Sequence, residues 1–133
     1  MALVESKEVL DVGWFKAGAD LSTHSKKFVE LTALNTVGLV NAVTDRPFGV
    51  LMNKPVADAA AEVRVLGIAI VISDGSGTAI VVGDYVGPNA TGLAIKKATA
   101  DNVVAGIALD ASSANGTWIR VLLLPGAFFR TAA

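Results

Sequence analysis

The chain has 133 residues and 13.6 kDa, enough for one domain with a core and too few for two ordinary ones. Hydrophobic residues make up 53% and charged residues 17%, with 11 basic groups against 12 acidic, a balance that excludes disorder and leaves no electrostatic footprint for nucleic acid. Cysteine is absent, which excludes disulfides, thiolate catalysis and thiolate metal sites, and only 6% of the chain is aromatic, so its light core is expected to draw stability from partner subunits.

Met1 to Glu8 carries acids where a signal peptide wants a basic region, so export by that route is not expected. Asp11-Val12-Gly13-Trp14-Phe15-Lys16-Ala17-Gly18-Ala19-Asp20 holds turn-compatible residues and an aromatic pair with little periodicity. It reads as part of an extended arm over residues 1–26. Trp14, Phe15 and Lys16 are then candidates for contact with a partner, the alternative being that the two rings cover the chain's own core. His24, the sole histidine, sits among Ser22, Thr23 and Ser25 with no nucleophile motif beside it, which suits a solvated residue better than a general base.

From residue 27 onward Gly, Pro and Asp punctuate segments rich in Val and Ile, and strands are predicted near 27–34, 39–41, 48–51, 61–66, 68–72, 84–87, 94–97, 103–109 and 117–124. Val63 and Val65 alternate with Glu62 and Arg64, and Ile119 and Val121 with Trp118 and Arg120, the period of a half-buried strand, with Arg64 and Arg120 facing outward. Val56 to Val65 could hold a short helical turn after Pro55, although a loop suits its length better. The run Val65 to Ile72 stops at Ser73-Asp74-Gly75, too short to cross a membrane as a helix. Gly75-Ser76-Gly77 lacks the Lys-Ser/Thr of a phosphate loop and reads as a loop tip. The aspartates fall at turn-like places, where their carboxylates can accept nearby backbone N–H bonds. The doublets Lys26-Lys27 and Lys96-Lys97 read as solvated strand ends.

The segment from Gly49 to Val65 resembles that from Gly106 to Val121: a Gly-apolar strand, a small-residue link, then Val63-Arg64-Val65 or Ile119-Arg120-Val121. The expected architecture is all-β, a small β-barrel or β-sandwich of short antiparallel strands with an extended N-terminal arm and at most one short helix. Its β domain spans 27–126 with related hairpin units at 48–67 and 105–124. A tail over 127–133 carries Phe128, Phe129 and Arg130, a second set of contact candidates. No catalytic constellation, metal site or cofactor motif is expected, and the chain is not read as an enzyme.

The order of Ala17-Gly18-Ala19-Asp20-Leu21-Ser22, Lys27-Phe28-Val29-Glu30-Leu31, Gly49-Val50-Leu51-Met52-Asn53-Lys54-Pro55, Ala61-Glu62-Val63-Arg64-Val65-Leu66-Gly67, Gly83-Asp84-Tyr85-Val86, Gly106-Ile107-Ala108-Leu109 and Val121-Leu122-Leu123-Leu124-Pro125-Gly126 resembles the small capsid cement or decoration proteins of tailed bacteriophages and their prophages. The resemblance implies a protein made in the host bacterial cytoplasm that binds the major capsid protein on the outer face of the expanded head and reinforces it, often as a homotrimer. It implies no direct nucleic-acid or membrane partner. A receptor- or glycan-binding knob on the virion is the alternative, and an enzyme assembled at a subunit interface is a more distant third.

Overall fold

The computed structural model describes residues 9–98 and 102–130, and of 102 and 125–130 the backbone alone. Nine strands follow in order: β1 (Leu10–Ala17), β2 (Phe28–Ala33), β3 (Thr36–Leu39), β4 (Gly49–Leu51), β5 (Ala60–Asp74), β6 (Tyr85–Pro88), β7 (Ala94–Lys96), β8 (Asn102–Ala108) and β9 (Asn115–Arg130). The protein is all-β, with no helix among the described residues, and contains a closed five-stranded barrel with further strands outside it. Residues 56–59 form a turn leading into β5, not a helix.

The two strands predicted at 61–66 and 68–72 are one strand, β5, bent at Gly67, whose φ of 94° is open to glycine and strained for other residues. Ala61 and Val63 before the bend, and Ala69, Val71 and Ser73 after it, are buried, as a period of two requires. Arg64 corrects the sequence expectation. It lies on the other face, but β1 pairs alongside with Asp11 opposite it, leaving it only 8% exposed. Its Nε and Nη2 donate to the Asp11 carboxylate at 2.8 and 3.2 Å, and its Nη1 donates to Ile68 O at 3.2 Å, bracing the bend.

After the bend, β5 pairs in parallel with β7, β7 with β6, β6 with β8, β8 with β9, and β9 returns to β5, so the ladders close a ring. Before it, β1 pairs in parallel with β3, β3 with β2, β2 with β4, β4 with β5, and β5 with β1. The second ring repeats the first strand for strand, some 57 residues on, and β5 closes one and opens the other. Phe28 faces Val50 as Tyr85 faces Ile107, and Val29 faces Gly49 as Val86 faces Gly106. Lys26 N donates to Leu51 O at 2.7 Å as Gly83 N donates to Ala108 O at 2.8 Å. Asn53 Oδ1 receives Glu62 N as Asp110 Oδ2 receives Arg120 N, both at 2.9 Å. The repeat is thus a whole ring, larger than the hairpins legible in sequence. Register also corrects the arginine match: Arg64 faces Val50, and Leu122 faces the equivalent Ile107, so Arg120 corresponds to Glu62.

Backbone signs repeat as well. Lys26 (φ 65°), Asn35 (φ 52°) and Asp58 (φ 65°) correspond to Gly83, Gly92 and Gly116, at φ 93°, 79° and 89°. Asn and Asp enter the left-handed region readily, whereas a lysine there costs about 1 kcal/mol.

One cluster fills the first ring, with Leu21, Val29, Val37, Leu51, Ala61 and Val63 buried. A second fills the later ring around Val71, Val86, Ile119 and Val121 and takes in Phe28, Val40 and Val50 from the outer side of the first. Because this second cluster draws on residues of both rings, it packs the two against each other. The aspartates act as expected: Asp20, Asp74 and Asp84 accept the backbone N–H of Ser22, Ser76 and Val81 at 2.9–3.0 Å. The doublet Lys96-Lys97 does not end as solvated charges. Lys97 is buried with its Nζ on Val43 O at 3.1 Å, burial pushing its pKa down, and Lys96 pairs with Asp84 at 3.4 Å.

Candidate functional site

Val12 faces Val63 and Phe15 faces Ala61, so β1 spends one residue more than β5 over the interval. This bulge at Gly13-Trp14 aims the Trp14 side chain at solvent, where it is 92% exposed. Phe15 turns the other way and packs on Phe48 with ring centroids 4.9 Å apart, against the first core. Lys16 is exposed and pairs with Asp58 at 3.4 Å. Phe128 and Phe129 pair through the backbone with Val104 and Val103, and Arg130 with Asn102; the side chains of these three candidates lie outside the described part of the structure.

Two further exposed residues stand near Trp14. Lys16 N donates to Asn35 O, and Asp58 N donates to Ala17 O, which draws the turns carrying Leu34 and Val56 to the side of β1. Leu34 is 87% and Val56 57% exposed. Trp14 on β1, and Leu34 and Val56 on the turns that flank it, are thus exposed apolar residues on the strand that carries the Lys16–Asp58 pair. Sequence reading missed Leu34 and Val56; the signal was a large apolar residue at a turn, where no core requires it. The arrangement offers apolar surface that a partner can bury.

On the first ring, a shallow cavity of about 450 Å³ is lined in part by Asp20, His24, Glu30 and Thr32. His24 Nδ1 lies 3.1 Å from Lys27 Nζ; burial and then the Lys27 charge lower its pKa, against a smaller opposing pull from Asp20. Burial first, and then the hydrogen bond and charge of Asp45, push the Glu30 carboxyl up from 4.5 to about 7. A carboxyl that holds its proton more tightly when folded makes stability fall as pH rises from about 4.5 through 7. The depressed His24 acts in the opposite sense below 6.5. Glu30→Gln is therefore expected to flatten the Glu30 component: its Tm minus that of the wild type should grow between pH 5 and 8. A difference that stays constant across that range would refute the raised carboxyl.

Asp110 binds Arg120 through two 2.9 Å contacts, and this hydrogen bonding holds its carboxyl below the usual range. Among the described residues no three His, Asp or Glu side chains gather as a metal site would need.

Comparison with known proteins gives a family match and a likeness of fold. A family described as phage cement protein matches residues 15–123. The fold is similar to the crystal structure of the head fiber gp8.5 N base in bacteriophage phi29, with a TM-score of 0.64 and 16% sequence identity, over 87% of this chain and 94% of that one. No curated protein matches the chain.

Proposed function

As the chain belongs to the phage cement protein family, we propose that it binds the outer surface of the assembled, expanded phage head, through the major capsid protein, and stabilises it there. The family match over residues 15–123 carries this reading. The exposed group of Trp14, Leu34 and Val56 supports it, because an aromatic residue left in solvent by a bulge has no role in the isolated fold. Trp14 and Lys16 are the first contacts in this reading, with Phe15 holding β1 from beneath, and Phe128, Phe129 and Arg130 are the second.

The action is thermodynamic. A ligand that binds the expanded lattice better than the unexpanded one stabilises the expanded state by its difference in affinity. A homotrimer would engage three such surfaces together and gain avidity without new contacts. Synthesis in the host cytoplasm precedes docking on the virion, and the reading requires no cofactor or catalytic step.

The test is co-sedimentation of purified protein with empty expanded heads and with unexpanded proheads. Selective binding to expanded heads, with a raised temperature of head disruption, is the expected result. Binding to neither particle would overturn the proposal, and deletion of residues 1–16 without loss of binding would remove β1 from the contact.

A further inference from the structure

Opposite residues 22–26 of the β1–β2 connection, β9 presents Trp118, 52% exposed, beside a cleft of about 420 Å³ lined by Ser22, Thr23, Ser25, Lys26, Lys54 and Trp118. The Lys26 ammonium lies over the indole, 5.6 Å from a ring centroid. Its described lining is two ammonium groups, three hydroxyls and one aromatic face, and the Asp20 carboxylate accepts the Ser22 N–H at 3.0 Å beside it.

The internal repeat separates what the fold needs at these positions from what has been added. Lys26 corresponds to Gly83, Lys54 to Ala111 and Trp118 to Ala60, so the same backbone is built elsewhere in the molecule with no side chain longer than a methyl group. Lys26 also carries a left-handed φ of 65°, which glycine meets without strain and lysine does not. That peptide is fixed at both ends, its N donating to Leu51 O and its O accepting from Ile72 N. A strained lysine clamped over a half-exposed tryptophan, where the repeat does without both, marks a site kept for something other than folding.

The geometry points to a binding site for an acidic sugar, a uronic-acid residue of a glycan, with Trp118 stacking on the sugar ring, Lys26 and Lys54 pairing with its carboxylate, and the hydroxyls of Ser22, Thr23 and Ser25 meeting its hydroxyls. An indole face matches the C–H face of a pyranose, and two ammoniums in the lining favour an anion over a neutral sugar. The volume is at the low end for ligand sites and suits one or two rings. An acidic peptide would meet the same two ammoniums but gives the indole face no sugar ring to stack on, and the titration separates the two.

The experiment follows Trp118 fluorescence in full-length protein carrying Trp14→Phe, titrated with a glucuronic-acid disaccharide, its neutral counterpart, sodium acetate and oligoglutamate. A saturable change with the uronate, at least tenfold weaker with the neutral sugar and absent with acetate, is expected. Lys26→Gly should weaken uronate binding tenfold or more while leaving Tm equal to or above that of the parent, and Lys54→Ala should weaken it without unfolding. No saturable uronate response, equal binding of the neutral sugar or acetate, tighter binding of oligoglutamate, or full binding by Lys26→Gly would each overturn the assignment. Head binding is read separately on Lys26→Gly in the protein that keeps Trp14, and its survival there would keep this site distinct from the capsid contact.

Discussion

Gly106→Val is expected to destabilise the protein by more than about 3 kcal/mol, a large part of the 5–15 kcal/mol that holds a domain of this size. A Cβ at position 106 would fall within the van der Waals surface of Leu122 O and 2.6 Å from Val121 Cγ1. The obstacle is partly backbone, so no rotamer change relieves it. Gly49 meets the same obstacle in the first ring, with Arg64 O and Val63 Cγ1, and Gly49→Val should behave alike. At these points β4 crosses β5, and β8 crosses β9, closely enough that only glycine fits. Gly13, with nothing within 4 Å of its Cβ position, is the control, and Gly13→Ala should change stability by no more than about 0.5 kcal/mol. Urea midpoints followed by circular dichroism measure all three. A Gly106→Val midpoint within error of the wild type would mean that the crossing is looser than described.

Trp14→Ala is expected to reduce affinity for expanded heads about thirtyfold per contact, the effect of removing a central aromatic anchor worth about 2 kcal/mol. Folding stability should not change, because the side chain is almost wholly in solvent. The pairing of lost binding with unchanged Tm distinguishes a contact residue from a structural one. Phe15→Ala should do the reverse, lowering Tm through the lost packing on Phe48. Undiminished head binding by Trp14→Ala would move the contact away from β1.

How far these features were legible in the chain depends on the range of the interaction behind each. Strands built on local alternation, such as Val63-Arg64-Val65, could be read directly, and so could the turn aspartates, whose bonds reach only a few residues. β1 escaped because its bulge at Gly13-Trp14 breaks the period of two. The burial of Arg64 escaped because its partner, Asp11, lies 53 residues earlier. The repeat showed in the sequence around Gly49 and Gly106; at many other positions its halves share backbone signs while the residues differ, Lys26 standing where the later ring has Gly83. The family resemblance was readable because order and spacing of short pieces survive such substitution. The cleft at Trp118 was not, since its walls come from opposite ends of the chain.

A shell under internal pressure loads whatever is fastened across it, and the sharing of β5 decides how this molecule would carry such a load. No linker joins the rings, so tension entering through one arrives at the other along covalent bonds. To release either ring, β5 would have to be sheared from two neighbours at once, β1 and β4 in the first or β7 and β9 in the later one. Ladders pulled along their length fail all at once, whereas those pulled open at one end fail bond by bond. At the Gly67 bend in that strand, the Arg64 guanidinium ties Asp11 to Ile68 O and removes the slack a hinge would need. The molecule is thereby built as a rivet with one continuous shank.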